Sequence, residues 1–104
     1  MVIKYSSKKL EKILTDPRLL KKFYSNDYNR ICNRLSELKA ANNLSEIPET
    51  PPPRRHKLNG NLQVCWGIDY SRNDRIVLRP SGQFDINDVS SIVEIEIVDL
   101  EDYH

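Results

Sequence analysis

The chain has 104 residues, of which 38% are hydrophobic and 30% charged, and its formal net charge is +1. This length fits one compact domain over 1–104 and excludes an enzyme that needs a separate cofactor domain. No apolar run approaches the roughly 18 residues of a membrane helix, and the first residues lack the apolar segment of a signal peptide. Two cysteines, Cys32 and Cys65, form neither a disulfide framework nor a zinc motif, so we expect a reduced cytoplasmic protein without membrane contact.

Charge is distributed unevenly along the chain. Residues 1–57 carry 13 Lys and Arg against 6 Asp and Glu, a net +7, whereas residues 58–104 carry 3 against 9, a net −6. The basic half fits a surface that attracts a polyanion. It also fits two amphipathic helices whose basic side chains face solvent, and charge alone favours this second interpretation.

The first half of the chain predicts one strand and two helices. Met1–Tyr5 is rich in β-branched and aromatic residues, which is typical of a strand. A serine pair can cap a helix over Lys8–Leu14, and Asp16-Pro17 predicts the start of a second helix that continues to about Ala41. An apolar stripe at helical period supports the second helix: Leu20, Tyr24, Tyr28, Ile31, Leu35 and Leu38.

The second half predicts an extended connector followed by strands. Four prolines interrupt the pattern between Asn42 and Arg55, and proline neither fits a helix interior nor donates to a sheet. Strands are predicted over Leu62–Tyr70, Arg75–Leu78 and Ile92–Leu100, with a polar hairpin turn after the first and an irregular loop over 79–91. This order predicts an α+β fold in which two antiparallel helices pack on one face of a mostly antiparallel sheet.

Two histidines, His56 and His104, are the candidate acid–base groups. Imidazole titrates near neutral pH, so a pair beside one groove can accept and donate a proton, as cleavage of RNA at a ribose 2′-hydroxyl requires. Arg75 opens a strand directly after a turn, where a guanidinium can offset charge on a phosphate. Ordinary alternatives stay open: His56 as a loop residue, His104 as a frayed end, and Arg75 as a cross-strand partner of a glutamate.

The sequence contains no glycine-rich phosphate loop, metal-ligand cluster or Ser/His/Asp arrangement. We therefore expect no metal and no cofactor, and any catalysis has to come from side chains. Cys65 and Trp66 lie within an apolar run that predicts core packing. Tyr103 fits either stacking on a base or anchoring of the chain to the core.

Several short segments carry a family resemblance. The last of them, Asp99–His104, reads Asp-Leu-Glu-Asp-Tyr-His, and Trp66 follows the glycine of His56–Gly60 at a characteristic distance. Arg75–Pro80 and the segment from Asp85 to Val89 add an Arg-x-x-x-x-Pro strand and an Asp-x-x-x-Val pattern. Together these segments resemble the HigB-type killer toxins of the RelE/ParE toxin–antitoxin superfamily, whose own motifs include His-x-Leu-Lys-Gly and a terminal histidine.

The resemblance implies a RelE-like fold of two helices against a twisted sheet. It also implies metal-free cleavage of messenger RNA in the ribosomal A site, inhibition by a HigA-type helix-turn-helix antitoxin, and contact with operator DNA only through that antitoxin. By position it assigns acid–base chemistry to His56 and His104, transition-state stabilisation to Arg75, and positioning to Asp102 and Tyr103. We expect further RNA contacts from Arg54, Arg55, Lys57 and Asn73.

Two departures from the family pattern leave other functions open. The lysine of the family motif is Asn59 here, and the basic pair that follows the glycine is absent around Leu62. Loss of one donor to the developing charge costs roughly 3–4 kcal/mol of transition-state stabilisation. A catalytically weakened module that binds an antitoxin and regulates the operator is therefore one alternative. A gyrase-directed toxin of the ParE branch is another, although the histidine-bearing tail argues against it.

Overall fold

The computed structural model describes residues 1–59 and 64–102, without the side chain of Asp102. Its architecture confirms the predicted α+β class. Three α-helices follow the first strand in sequence: α1 (Lys8–Thr15), α2 (Pro17–Phe23) and α3 (Tyr28–Ala40). Five strands form one sheet: β1 (Val2–Tyr5), β2 (His56–Lys57), β3 (Trp66–Asp69), β4 (Asp74–Pro80) and β5 (Glu94–Asp102).

The strands are ordered β1-β5-β4-β3-β2 across the sheet. The β1–β5 pairing is parallel and the other three pairings are antiparallel, which confirms the mostly antiparallel prediction. The predicted hairpin turn joins β3 to β4, where the amide of Tyr70 donates to the carbonyl oxygen of Asp74 at 3.1 Å. Strand β2 is an addition to the prediction, because two residues are too short to show a hydrophobic period.

The predicted second helix over 17–41 is interrupted, so this part of the prediction is wrong. Helix α2 ends at Phe23, and Ser25–Asp27 forms a 3₁₀ turn before α3 begins. Tyr24, between them, has the non-helical angles φ −134° and ψ 47°. Serine, asparagine and aspartate side chains compete for nearby backbone groups, which lowers helix propensity at this point. The apolar stripe nevertheless faces the core on both sides of the break.

Both predicted helix starts are capped by side chains. The hydroxyl oxygen of Ser7 accepts from the amide of Leu10 at 3.0 Å, and Asp16 Oδ1 accepts from the amide of Arg18 at 2.9 Å. Pro17 occupies the first turn of α2, where its missing amide proton leaves no hydrogen bond unmade. Each such cap contributes about 1 kcal/mol and fixes where its helix begins.

The main core lies between the helices and one face of the sheet. It includes Trp66, as predicted, and the wholly buried Ile76 and Leu78 of β4. Val77, between those two residues, points to the other face, where it packs with Leu58 and the buried Cys65. We call the side of the sheet to which Val77 points the open face. No helix in the described part of the chain is long and apolar enough to span a bilayer.

Candidate functional site on the open face

The site is centred on Gly67 in strand β3. Gly67 pairs with His56 of β2 on one side and with Val77 of β4 on the other. A Cβ atom at Gly67 would lie 3.0 Å from His56 Cε1 and 3.1 Å from Arg75 Cδ. Because both distances are shorter than an ordinary carbon–carbon contact, the missing side chain of Gly67 is what lets the His56 ring and the Arg75 stem both approach strand β3 this closely.

Arg75 is held by the neighbouring strand. It stands opposite Glu101 in the β4–β5 register, and its Nε donates to Glu101 Oε1 at 3.0 Å while Nη2 donates to the same oxygen. The Arg75 side chain is 15% exposed and that of Glu101 is 30% exposed. The glutamate partner considered in the sequence is thus present, and it fixes the direction of a guanidinium whose stem lies over Gly67.

Arg54 connects the end of β3 to the imidazole of His56. Its Nε donates to Asp69 Oδ2 at 2.6 Å and its Nη2 donates to Asp69 Oδ1 at 3.3 Å. The same Nη2 lies 3.5 Å from His56 Nε2, and the Arg54 carbonyl oxygen lies 2.7 Å from His56 Nδ1. Since a carbonyl oxygen only accepts, Nδ1 carries the proton, and Nε2 of the neutral ring carries the lone pair.

The backbone at Arg54 is strained and firmly held. Its φ of 52° is left-handed, a conformation that costs a residue with a Cβ about 1–2 kcal/mol. The amide of Arg54 donates to the carbonyl oxygen of Thr50 at 3.1 Å, and the amide of Asp69 donates to that of Pro53 at 2.7 Å. These bonds fasten the proline-rich connector to the end of β3, and strain maintained in this way is typical of functional sites.

The other three residues predicted to contact RNA have different structural environments. Arg55 turns into the connector, where its Nε donates to the carbonyl oxygen of Ile47 at 2.8 Å and its side chain is 10% exposed. Lys57 follows His56 in β2, on the opposite face of the sheet, and its Nζ lies 5.5 Å from the centre of the Trp66 ring. Asn73 is exposed in the turn between β3 and β4. Their contacts with RNA stay predictions.

Of the site residues predicted at the end of the chain, the structure describes only the backbone of Asp102. Asp102 is the last residue of β5 and stands opposite Asp74, at the hairpin end of the sheet. Tyr103 and His104 lie outside the described residues, as do the glycine of the His56–Gly60 motif and Leu62. The structure therefore brings His56, Arg75 and Arg54 together, while the roles of Asp102, Tyr103 and His104 stay predictions.

Three residues of the site were missed by sequence reasoning: Gly67, Asp69 and Glu101. Gly67 carried a signal, because a glycine inside an apolar strand indicates a close approach by another group. Asp69 and Glu101 carried no local sequence signal, since their arginine partners lie 15 and 26 residues away along the chain.

The open face is electrostatically balanced rather than strongly basic. Hydrogen bonding to Glu96 raises the pKa of Arg79, and burial raises the pKa of the Cys65 thiol, which makes that thiol a poor nucleophile. Within 1–59 and 64–102, no three His, Cys, Asp or Glu side chains are placed to hold a metal ion. Each arginine of the open face described so far has a carboxylate partner: Arg54 with Asp69, Arg75 with Glu101, and Arg79 with Glu96.

Comparison with known proteins extends the description of the fold. No protein-family model and no curated protein matches the chain. A YoeB/ParE toxin from Agrobacterium tumefaciens superposes over 100% of both chains with a TM-score of 0.61 and 13% sequence identity. The YoeB–YefM complex from Staphylococcus aureus gives a TM-score of 0.57 at 16% identity, over 100% of this chain and 97% of that one. The chain thus has the fold of YoeB and ParE toxins, while the HigB type stays a prediction.

Proposed function

We propose that this protein is the toxin of a type II toxin–antitoxin system and that it cleaves messenger RNA in the ribosomal A site. The observation that carries the proposal is the convergence of His56 and Arg75 over Gly67 on the open face. Attack of a ribose 2′-hydroxyl on a phosphodiester needs a proton acceptor and a cation beside the phosphate. The His56 imidazole and the Arg75 side chain, which both lie over Gly67, supply those two groups, and the fold shared with YoeB toxins supports the toxin role.

The proposed reaction transfers two protons, forms one phosphorus–oxygen bond and breaks another. His56 Nε2 accepts the proton of the 2′-hydroxyl, the 2′-oxygen attacks phosphorus, and the bond from phosphorus to the 5′-oxygen breaks. His104 donates a proton to the departing 5′-oxygen, so the products are a 2′,3′-cyclic phosphate and a 5′-hydroxyl. Arg75 stabilises charge on the non-bridging oxygens. Asp102 and Tyr103 are proposed to position these groups, as the motif resemblance implies.

The proposed partners are the ribosome with its messenger RNA and an inhibitory antitoxin. One of the similar solved structures is a complex of YoeB with YefM, which supports the expectation of a protein partner. We propose a HigA-type helix-turn-helix antitoxin, with operator DNA contacted only through it. Because the ribosome is the substrate-bearing partner, the proposed site of action is the cytoplasm.

Cleavage of messenger RNA on programmed ribosomes tests the proposal. The wild-type protein should cut in the A site, and His56→Ala or Arg75→Ala should slow cutting about 100-fold or more, because each removes a group that acts in the transition state. Arg79→Gln is the matched control, since Arg79 lies on the same strand and face with its own carboxylate partner. Absence of cutting by folded wild-type protein would contradict the proposal.

A second candidate function is that of a weakly cleaving module that binds an antitoxin and regulates the operator. The carboxylates facing the arginines favour it, because a guanidinium already paired with Glu101 offers less charge to a phosphate. This function predicts tight antitoxin binding without ribosomal cleavage. In that case Asn59→Lys, which restores the family's basic residue, becomes the variant that should recover cutting.

A further inference from the structure

We propose that Asp69 is a positioning residue for His56 and that it acts through Arg54. The proposal rests on the proposed nuclease function, in which His56 accepts a proton. It adds a residue to that site, because Asp69 of β3 was not a candidate from the sequence. Its effect is carried by two successive contacts: the Asp69 carboxylate accepts from the Arg54 guanidinium, and the Arg54 carbonyl oxygen accepts from the His56 ring.

The first contact fixes the guanidinium of Arg54. Two nitrogens of Arg54 donate to the two oxygens of Asp69, at 2.6 Å and 3.3 Å. The Asp69 side chain is 16% exposed and the Arg54 side chain is 38% exposed, so the carboxylate lies on the more enclosed side of the pair. Paired bonds of this kind fix orientation as well as distance, because the planar fork of arginine matches a carboxylate.

The second contact joins Arg54 to the imidazole of His56, chiefly through Nδ1. Nδ1 donates to the carbonyl oxygen of Arg54 at 2.7 Å, and Nη2 of the same arginine lies 3.5 Å from Nε2. A residue that is tied to Asp69 by its side chain therefore determines which nitrogen of His56 carries the proton.

This determination matters for the proposed chemistry. A neutral imidazole accepts a proton only at the nitrogen that lacks one, and an unconstrained histidine ring prefers to place its proton on Nε2. Holding the proton on Nδ1 leaves the lone pair on Nε2, which lies beside Gly67 within 3.1 Å of the position of an added Cβ. Orientation of a catalytic histidine by its second nitrogen is worth a large factor in other acid–base sites.

The tautomer of His56 is the most direct readout, because a merely structural carboxylate would not change it. In ¹⁵N-labelled protein at a pH where the ring is neutral, two-bond ¹H–¹⁵N correlations identify the protonated nitrogen, with His56→Gln providing the assignment. We expect Nδ1–H in the wild type and a mixture containing Nε2–H in Asp69→Asn. Glu96→Gln, which breaks the comparable Arg79 pair, should leave the tautomer unchanged. Nε2–H in the wild type would overturn the proposal.

Cleavage on programmed ribosomes provides the second readout. Asp69→Asn should lower the rate constant of cutting about 10- to 100-fold with little change in the concentration for half-saturation, and Asp69→Glu should recover part of the loss. Arg54→Lys, which keeps the charge without the fork, should act in the same direction and replaces Asp69→Asn if that variant does not fold. Wild-type tautomer and wild-type cutting in these variants would refute the role of Asp69.

The two proposals fail in distinguishable ways. If the tautomer changes as expected but folded wild-type protein cuts nothing, the nuclease function is wrong while the control of His56 by Asp69 stands. If the wild type cuts and neither Asp69→Asn nor Arg54→Lys changes cutting or tautomer, the nuclease function stands and the positioning role is wrong.

Discussion

Replacing Gly67 with alanine is the most local test of the site, because it adds one methyl group between two proposed catalytic side chains. The new Cβ would meet His56 Cε1 at 3.0 Å and Arg75 Cδ at 3.1 Å. Favourable contacts between carbon atoms lie at about 3.5–4.0 Å, so the ring or the stem must retreat by about half an ångström. We expect His56 and Arg75 to separate without loss of the fold.

The size of the effect follows from that displacement. A misplacement of about 1 Å costs a reaction about 100-fold, so half of it should slow cleavage about tenfold. Stability should change less, because alanine in a strand interior gains about 0.5–1 kcal/mol over glycine while overpacking costs about 1–3 kcal/mol. The net expectation for Gly67→Ala is a free energy of unfolding lower by no more than about 2.5 kcal/mol.

The assay compares cleavage rates on programmed ribosomes with urea unfolding of the same preparations. Ile68→Val is the matched control, since Ile68 is the next residue of β3 and is wholly buried on the helix side. It should lower the free energy of unfolding by about 0.5–1.5 kcal/mol and leave cleavage unchanged. Equal cleavage by Gly67→Ala and wild type would refute the reasoning, as would equal losses in Gly67→Ala and Ile68→Val.

Three further predictions concern charge and packing. Glu101→Gln should strengthen binding to a short RNA and steepen its salt dependence by about one counterion, measured by fluorescence anisotropy, because Arg75 loses its carboxylate partner. Hydrogen bonds from Ser81 and Lys4 lower the pKa of Glu94 in the folded protein. The charged carboxylate of Glu94 therefore stabilises the fold at any pH above its ordinary pKa, and this stabilisation is lost as the pH falls through the lowered pKa. Glu94→Gln should therefore unfold at lower urea than wild type at pH 7 but not in acid. Leu38→Ala should cost about 2–5 kcal/mol in urea unfolding, since Leu38 is wholly buried.

The elements that sequence reasoning predicted well are those specified by neighbouring residues. Ser7 and the Asp16-Pro17 pair fix two helix starts by bonds that span two or three residues. Strand β4 was predicted over Arg75–Leu78 from a short apolar run after a turn, and the structure places it at Asp74–Pro80. The break at Tyr24 was missed because the apolar stripe continues across it, so periodicity indicated one helix where turn-forming side chains divide two.

The site was less predictable because its contacts are distant in sequence. His56 was a candidate by residue type, yet the space for its ring comes from a glycine 11 positions later in a different strand, which the register of β2 and β3 places opposite it. Arg54 was expected to contact RNA through its charge, whereas the structure gives its guanidinium to Asp69 and its carbonyl oxygen to the imidazole. One-dimensional patterns do not contain such pairings, since they depend on strand register and on the path of the connector.

The paired arginines bear on the choice between the two candidate functions. In the absence of RNA, the largely buried guanidinium of Arg75 is more stable with a carboxylate partner than without one. The same pairing opposes phosphate binding, because RNA has to compete with Glu101 for Arg75. A site built in this way favours a substrate that is positioned by other contacts, and an A-site messenger RNA held by the ribosome meets that requirement whereas free RNA does not. Strict dependence of cleavage on the ribosome is therefore what the balanced charge of the open face predicts, and efficient cutting of free RNA at ordinary salt would contradict it.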